Sequence, residues 1–344
     1  MFSSRILEAV PTAPESEDIF SSALSILFTD DTQNSHGIPG SSVTYHSPRF
    51  GNMTLRIPAH PDREEDRKLF AHYLWNAGVI AADAIEAGST SKQQNVTVSE
   101  GEHDRGREQG QWDRRYWDVR GKRVLELGAG TALPSLISAL SGAESTTITD
   151  HPSSPALTTN AIEQNVRDNV LERPRPDTKS KPVVNVFGYT WGTNMMYLPE
   201  QYGKPAPRQP GSFDRIILAD CLWMPSQHVN LVKTTLRYLD SSQSNASCAY
   251  ACACALVVAG FHTGRGIVRH FFEVATGEWK DEEKTSSEAD NEDQELAEVQ
   301  GKLKAVEIFE IDVNGSRRPW EAVRRGENKE QAKRWCVSAV LVKR

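Results

Sequence analysis

The segment VLELGAGTALPSL, residues 124–136, constrains the fold of this chain most strongly. An apolar run precedes two glycines and an amphipathic stretch follows them, which predicts a buried strand, a tight turn and a helix. Glycine is needed in such a turn because a Cβ would block the close approach of a ligand to the backbone. The segment therefore predicts a nucleotide-type pocket at the end of a sheet strand.

Strand-like and helical patterns alternate after this segment. The further apolar runs are STTITD, VVNVFGYTW, FDRIILAD and ACALVVAGF. Helical patterns lie between most of them, which is typical of a parallel sheet covered on both faces. The closing runs KAVEIFEID and RWCVSAVLVKR have only a polar stretch between them, so we predict an antiparallel C-terminal hairpin. The fold class is α/β: a Rossmann-like, doubly wound, seven-stranded and mostly parallel sheet over residues 116–344.

Residues 1–87 are predicted to form an N-terminal extension. SSVTYHSP and GNMTLRIPA alternate apolar and polar positions around a turn, which indicates a β-hairpin. Apolar residues then recur at three- and four-residue steps over 64–86, which predicts a helix that carries the motif HYLWNAG. This helix either lies across the pocket as a lid or packs against the sheet.

Two polar segments interrupt the regular pattern. Residues 88–115 are rich in Gly, Gln and Arg and are predicted to be a disordered insertion. Residues 281–300 are strongly acidic and are predicted to be a solvated loop before the next strand.

Composition argues against several classes of function. A net charge of -7 disfavours a nucleic-acid substrate, which usually demands a basic face. The five cysteines lack zinc-ligand spacing, so we expect no metal site and a reducing compartment. No segment reads as a secretory signal or as a membrane span, so we expect a cytoplasmic protein without a membrane partner.

The choice of cofactor depends on the residues around the two glycines. Asp150 ends the next strand about twenty residues after Gly130, where a carboxylate can accept both ribose hydroxyl hydrogens. A dinucleotide fingerprint needs a third glycine, but Leu133 occupies that position. Glu126 would repel a pyrophosphate and tolerate a cationic amino group or a sulfonium. We therefore predict S-adenosylmethionine at a site formed by Glu126, Gly128, Gly130 and Asp150.

Trp191, in YTWG, lies where the adenine would rest and is predicted to stack on it. Ordinary structural roles remain as alternatives for these residues. Glu126 is then a plain strand-end residue, Asp150 a helix N-cap, and Trp191 part of the core.

The acceptor end is predicted from the strand FDRIILAD, which ends at Asp220. Methyl transfer to nitrogen needs a neutral amine aligned behind the methyl group, so most of the acceleration can come from orientation. Asp220 would orient an amine N–H, and Trp223 would wall the channel and hold developing positive charge against its π-face. Asp220 as a helix cap is the alternative. His228 is either a proton acceptor or a surface residue, and His262 either shapes the acceptor site or packs in the core.

The ordered motifs HYLWNAG, VLELGAGTALPSL, TITD, TWG, ADCLWMPSQH and AGFHTGRG resemble the family 16 seven-strand methyltransferases. The likeness is greatest to fungal members labelled nicotinamide N-methyltransferase-like, and it runs from about Ser42 to the end. Related lysine methyltransferases carry Tyr or Phe where this chain has Trp223. The resemblance implies that the cofactor is lined by Trp75, Glu126, Gly128, Gly130, Asp150 and Trp191, with Asp220 at the edge shared with the acceptor.

Some relatives methylate the N-terminus or lysines of translation elongation factor 1-alpha, so the resemblance implies a protein amine as acceptor. A small pyridine such as nicotinamide is the alternative acceptor. A nucleotide-binding fold without catalysis, or an NAD enzyme, is the alternative from another class. We expect a monomer in the cytoplasm and also in the nucleus.

Overall fold

A computed structural model describes residues 3–8, 34–59, 73–90, 112–174, 181–197, 212–241, 253–279 and 291–344. Parts of three predicted segments lie outside these ranges: 64–72 of the helix, 91–111 of the insertion and 281–290 of the acidic loop.

The N-terminal extension contains short strands and one long helix. The elements are β1 (Ile6–Glu8), β2 (Ser35–His36), β3 (Ser42–Ser47), β4 (Gly51–Arg56), β5 (Leu74–Trp75) and helix α1 (Asn76–Gly88). The predicted hairpin is confirmed, because β3 and β4 pair antiparallel with Val43 opposite Leu55 and Tyr45 opposite Met53. These four side chains are buried on one face, as the alternation predicts.

The prediction that HYLWNAG lies on the helix is wrong for Tyr73, Leu74 and Trp75. Leu74 and Trp75 are extended and pair with β2, and α1 begins only at Asn76. The body of α1 packs against the sheet and is buried almost all round, so it is a packing helix and not a lid. Its many alanines allow this close approach, and only Gly78 in its first turn lines the pocket, together with the chain just before the helix.

The predicted insertion ends earlier than expected. Trp112 is only 5% exposed and its ring lies 4.8 Å from that of Trp117. Asp113 caps the short helix α2 (Arg114–Trp117) by accepting the Arg115 N–H. Burial of two indoles outweighs the polar composition around them, so residues 112–115 belong to the packed fold.

The main sheet has eight strands in the described part of the chain. The strands are β6 (Arg123–Leu127), β7 (Ser145–Asp150), β8 (Val183–Gly188), β9 (Arg215–Ala219), β10 (Cys254–Gly260), β11 (Leu303–Asp312), β12 (Arg317–Pro319) and β13 (Trp335–Lys343). Their order is β12-β11-β13-β10-β9-β6-β7-β8, with five parallel strands from β8 to β10. The mostly parallel sheet and its antiparallel closing pair, β11 and β13, are confirmed.

The predicted count of seven strands misses β12, which pairs with residues 309–311 at the sheet edge. Its sequence RRP has no apolar alternation, so no pattern marks it as a strand.

Helices cover both faces of the sheet. They are α3 (Leu133–Leu140), α4 (Pro155–Thr158), α5 (Ala161–Val166), α6 (His228–Tyr238), α7 (Arg265–Thr276), α8 (Asn291–Val299) and α9 (Lys329–Lys333). Within β6, Val124 faces one core cluster and Leu125 faces the other, because successive side chains of a strand point to opposite faces. In the ranges that the structure covers, no helix has the length and apolar character needed to cross a membrane.

The prediction of a loop over 281–300 is wrong for its second half, which forms α8. Val299 is buried and Leu296 packs against the same core cluster, so the acidic segment has an apolar side. Lys233 on α6 also pairs with Glu295 at 2.9 Å.

We predict that Gly88→Ala destabilises the fold. A Cβ at Gly88 would lie 2.7 Å from the backbone and the Cβ of Trp117, so α1 and α2 would have to separate. The expected loss in the free energy of unfolding is roughly 1–3 kcal/mol by urea denaturation. Gly266→Ala is the matched control, since its Cβ meets nothing within 4 Å. Equal stabilities for the two variants would contradict this packing.

Candidate functional site

A cavity of about 270 Å³ lies at the carboxyl ends of the parallel strands β6, β7, β9 and β10. This edge is where open α/β sheets bind ligands. The lining includes Trp75, Glu126, Gly128, Gly130, Asp150, Trp191, Asp220, Trp223 and His262. The structure thus brings the eight predicted site residues together around one space, with His262 beside them.

The turn after β6 depends on glycine at two positions. Gly128 has φ +64°, and a Cβ there would lie 3.1 Å from the Trp191 ring and 3.2 Å from Cys221 Sγ. Gly130 has φ +53°, and a Cβ there would meet nothing within 4 Å. At Gly128 both the close contact with the indole and the left-handed backbone require glycine. At Gly130 only the left-handed backbone does.

Glu126 is a buried carboxyl that binds a backbone N–H in the first turn of α3. It is 1% exposed, and Oε2 accepts the Ser135 N–H at 3.1 Å. Burial raises the pKa of Glu126 to about 8. The charge predicted from sequence is therefore disfavoured at neutral pH unless a cation lies nearby.

The N-terminus of α3 is a poor pyrophosphate site. Leu133 and Pro134 are its first two residues, and proline has no N–H to donate. The next N–H, from Ser135, already binds Glu126. Two of the first three positions of α3 therefore have no N–H to offer to a dinucleotide pyrophosphate.

Asp150 faces the glycine turn from the neighbouring strand. Oδ2 accepts the Gly130 N–H at 2.8 Å and Oδ1 accepts the His151 N–H at 2.7 Å. Burial raises the pKa of Asp150, and these backbone donors oppose the rise. A carboxylate has about four lone-pair positions, so acceptor capacity remains toward the cavity. The helix-cap alternative is wrong, because Ser154 caps α4.

Aromatic rings form the side walls of the cavity. Trp191 is partly buried and packs against the core next to Gly128, which fits the core alternative, while its stacking on an adenine stays a prediction. Trp75 stacks on His262 with ring centroids 4.8 Å apart, and Tyr73 meets the Trp75 ring edge-on. These planar faces suit an aromatic base or a cationic group.

Asp220 lies at the opposite end of the cavity in a left-handed backbone conformation, φ +59°. Such a conformation is uncommon for a residue with a Cβ and is held here by the surrounding contacts. Oδ1 accepts the Gly260 N–H at 3.0 Å, and Oδ2 lies 3.9 Å from His262 Nε2. Burial raises the pKa of Asp220, and His262 opposes the rise.

Asp220 caps no helix. The helical turn after it begins at Pro225 without a side-chain cap, which overturns the capping alternative. Trp223 and His262 both line the same end of the cavity, so an acceptor nitrogen held there would contact a carboxylate, an indole and an imidazole.

His228 takes neither of its predicted roles. It is fully buried and outside the cavity lining, with Nε2 donating to the Leu222 carbonyl at 2.9 Å and Nδ1 2.8 Å from His270 Nδ1. Burial lowers its pKa to about 4. His228 is therefore neutral, and its hydrogen bond to the Leu222 carbonyl fixes the loop that follows β9. Helical periodicity alone did not reveal this, because its partner His270 is distant in sequence.

Several lining residues were not singled out from the sequence, among them Cys221, Tyr73 and Gln227. Cys221 follows Asp220, and its thiol donates to the Leu127 carbonyl at 2.9 Å. Tyr73 and Gln227 also line the cavity. The sequence signal for Cys221 was its position just after the end of a strand. The signal for Tyr73 was its place in the motif HYLWNAG. Within the described residues no group of three His, Cys, Asp or Glu side chains is arranged to hold a metal ion.

We predict that Glu126→Gln stabilises the ligand-free protein at pH 8 more than at pH 5. A raised carboxyl pKa in the folded state means that stability falls as pH rises from about 4.5 to about 8, and glutamine avoids this loss. The expected gain at pH 8 is roughly 3–4 kcal/mol, since the pKa rise from 4.5 to about 8 is worth about 1.4 kcal/mol per unit. Chemical denaturation at both pH values measures it. The exposed Glu144→Gln should show no such pH dependence, and a pH-independent gain for Glu126→Gln would refute the assignment.

The chain is similar to curated proteins over about half of its length. The protein N-terminal and lysine N-methyltransferase EFM7 of Gibberella zeae is 30% identical over 175 residues, which are 51% of this chain and 55% of that protein. The protein of the same name from Schizosaccharomyces pombe is 31% identical over 166 residues, 48% and 49% of the two chains. This chain thus spans about half the length of the curated relatives it matches. A putative SAM-dependent methyltransferase from Streptococcus mutans covers 95% of this chain and 65% of its own, with 12% identity and a TM-score of 0.42.

A sequence profile of one family, described as lysine methyltransferase, matches residues 62–255. That range is more than half of the 344 residues and contains the glycine turn, Asp150, Trp191 and Asp220. The family predicted from the motifs is confirmed: the chain belongs to the lysine methyltransferase family.

Proposed function

We propose that this protein transfers a methyl group from S-adenosylmethionine to an amine nitrogen of a protein, either an N-terminal amine or a lysine. One observation carries the proposal: a glycine turn faces the buried carboxylate of Asp150, while the adjoining helix end is closed by Glu126. That arrangement suits a nucleoside without phosphates. It argues for a ribose and against the pyrophosphate of an NAD enzyme.

The donor end fits S-adenosylmethionine by the chemistry of its residues. Asp150 would accept hydrogen bonds from the ribose hydroxyls, Trp191 would stack on the adenine, and Trp75 would close the cavity beside it. Glu126 would be ionised by a bound cationic group, since an opposite charge lowers a carboxyl pKa. When bound, the cofactor supplies an activated methyl group on a sulfonium.

At the acceptor end we assign complementary roles to two polar side chains. Asp220 orients the N–H bonds of the acceptor, and its backbone-held carboxylate needs no reorganisation to do so. His262 takes the proton that an ammonium group must lose before its lone pair can attack. Trp223 excludes water and offers a π-face to the positive charge that develops on nitrogen.

A protein acceptor is favoured over a small pyridine on two grounds. The two relatives above are named as methyltransferases of protein N-termini and lysines. The acceptor end also adjoins a second cavity through His262 and Thr263, whereas a pyridine needs a closed pocket. We propose a translation elongation factor as the first substrate to test. We further propose a monomer that acts in the cytoplasm, and also in the nucleus, without a nucleic-acid partner, in keeping with a net charge of -7.

A labelling experiment tests the proposed function. The protein is incubated with S-adenosylmethionine that carries a labelled methyl group and with a fungal lysate. We expect label in a protein band, and mass spectrometry of that band should locate it on an N-terminal amine or a lysine. Label only in the small-molecule fraction would favour the pyridine acceptor. Label in neither fraction, with cofactor binding established, would favour a non-catalytic fold.

We predict that Asp150→Ala weakens the binding of S-adenosylmethionine by roughly 2–3 kcal/mol, because two charge-assisted hydrogen bonds are lost. Calorimetric titration measures the effect, and circular dichroism checks that the variant is folded. Asp168→Ala removes an exposed carboxylate outside the cavity and is the matched control. If folded Asp150→Ala binds S-adenosylmethionine as tightly as the wild type does, the assignment of Asp150 to the ribose hydroxyls is wrong.

A further inference from the structure

A second cavity, of about 360 Å³, opens beside the acceptor end of the first. It lies between the start of α7 and residues 322–332, the segment that leads from β12 into α9. His262 and Thr263 line both cavities. A ligand with its reactive nitrogen beside Asp220 can therefore continue past His262 into the second space.

The outer wall of this second cavity is held by a buried cluster of ion pairs. Glu310 on β11 is 0% exposed and accepts hydrogen bonds from Arg265 and from Arg318, the latter at 2.6 Å. These arginines hold the pKa of Glu310 below its usual range. Arg265 also packs over the Phe261 ring at 4.1 Å. The wall is thus fixed to the sheet and to α7, so its side chains are ordered toward the cavity.

The charges around the second cavity are unbalanced. Its basic lining residues are Arg265, Arg269, Arg324 and Lys329, and its acidic one is Glu327. Both carboxylate oxygens of Glu327 are occupied, one by Arg265 at 2.7 Å and the other by Arg318. Arg265 and Arg324 are balanced by Glu310, Glu321 and Glu327, so the positive charge that the lining offers to a ligand comes from the exposed Lys329. Val323, 64% exposed, adds an apolar contact at the rim.

We propose that the second cavity binds the polypeptide segment next to the methylated amine, and that it selects segments with an acidic side chain there. This inference rests on the proposed function and adds a substrate preference to it. The amine enters the first cavity, the backbone passes His262 and Thr263, and the acidic side chain meets Lys329. Charge complementarity of this kind favours the matching partner and disfavours segments that carry lysine or arginine at the same place.

A charge-reversal experiment tests the preference. The full chain is incubated with labelled S-adenosylmethionine and a library of peptides, each with a free N-terminus and one lysine, whose flanking positions are randomised. We expect acidic flanks to be enriched about three- to fivefold over basic flanks, the range of one exposed ion pair. Lys329→Glu should abolish or reverse this enrichment. The enrichment should also shrink as the salt concentration rises from about 0.05 M to about 0.5 M.

Lys304→Glu is the matched control. Lys304 is exposed near the start of β11, outside both cavities, and the charge change is the same. It should leave the peptide preference and the affinity for S-adenosylmethionine unchanged. Peptide methylation without a charge preference, or a preference that survives Lys329→Glu, overturns the acidic-segment inference and leaves the proposed function intact. A wild-type protein that methylates no peptide and no lysate protein overturns both.

Discussion

The hydrogen bond between the buried carboxyl of Glu126 and the start of α3 is the contact on which the rest of the site depends. It joins the end of β6 to the helix that follows, and so fixes the turn that contains Gly128 and Gly130. The Gly130 N–H then binds Asp150 at the end of β7. One strand end thus determines the position of its neighbour through the backbone of the turn, with little freedom left to the side chains.

A second carboxylate bonds to the backbone of a neighbouring strand end on the other side of the sheet, at the proposed methyl-acceptor end of the cavity. Asp220 at the end of β9 accepts the N–H of Gly260 at the end of β10. Hydrogen bonds therefore join the ends of four adjacent parallel strands: β7 to β6 through Asp150, β6 to β9 through the Cys221 thiol and the Leu127 carbonyl, and β9 to β10 through Asp220. Protein dipoles fixed in this way stabilise charge without rearranging during a reaction. The second cavity lies beyond this set, so under the proposed function its lining can determine a substrate preference without changing the residues proposed to hold the cofactor.

The sequence predicted the parts of the fold that follow from local periodicity. The hairpin at Val43 and Leu55, the parallel sheet and the gathering of eight residues around one cavity all rest on strand patterns and on the rule that ligands bind at strand ends. Errors arose where distant contacts decide structure. Trp112 becomes buried only because Trp117 and the sheet cover it, and β12 exists because β11 offers it an edge. The roles of the individual site residues stay predictions, because the proximity of these side chains does not by itself show which reaction step each one performs.

The contact between His228 and His270 has a consequence for tautomers. His228 Nε2 faces the Leu222 carbonyl and must carry a hydrogen, so Nδ1 of the neutral ring is a bare lone pair. His270 must then supply the hydrogen on its own Nδ1 across the 2.8 Å gap. A proton added to His228 would set two N–H bonds against each other beneath the loop that carries Trp223, unless His270 moved its hydrogen from Nδ1 to Nε2. The neutral His228 therefore determines which nitrogen of its neighbour carries a hydrogen.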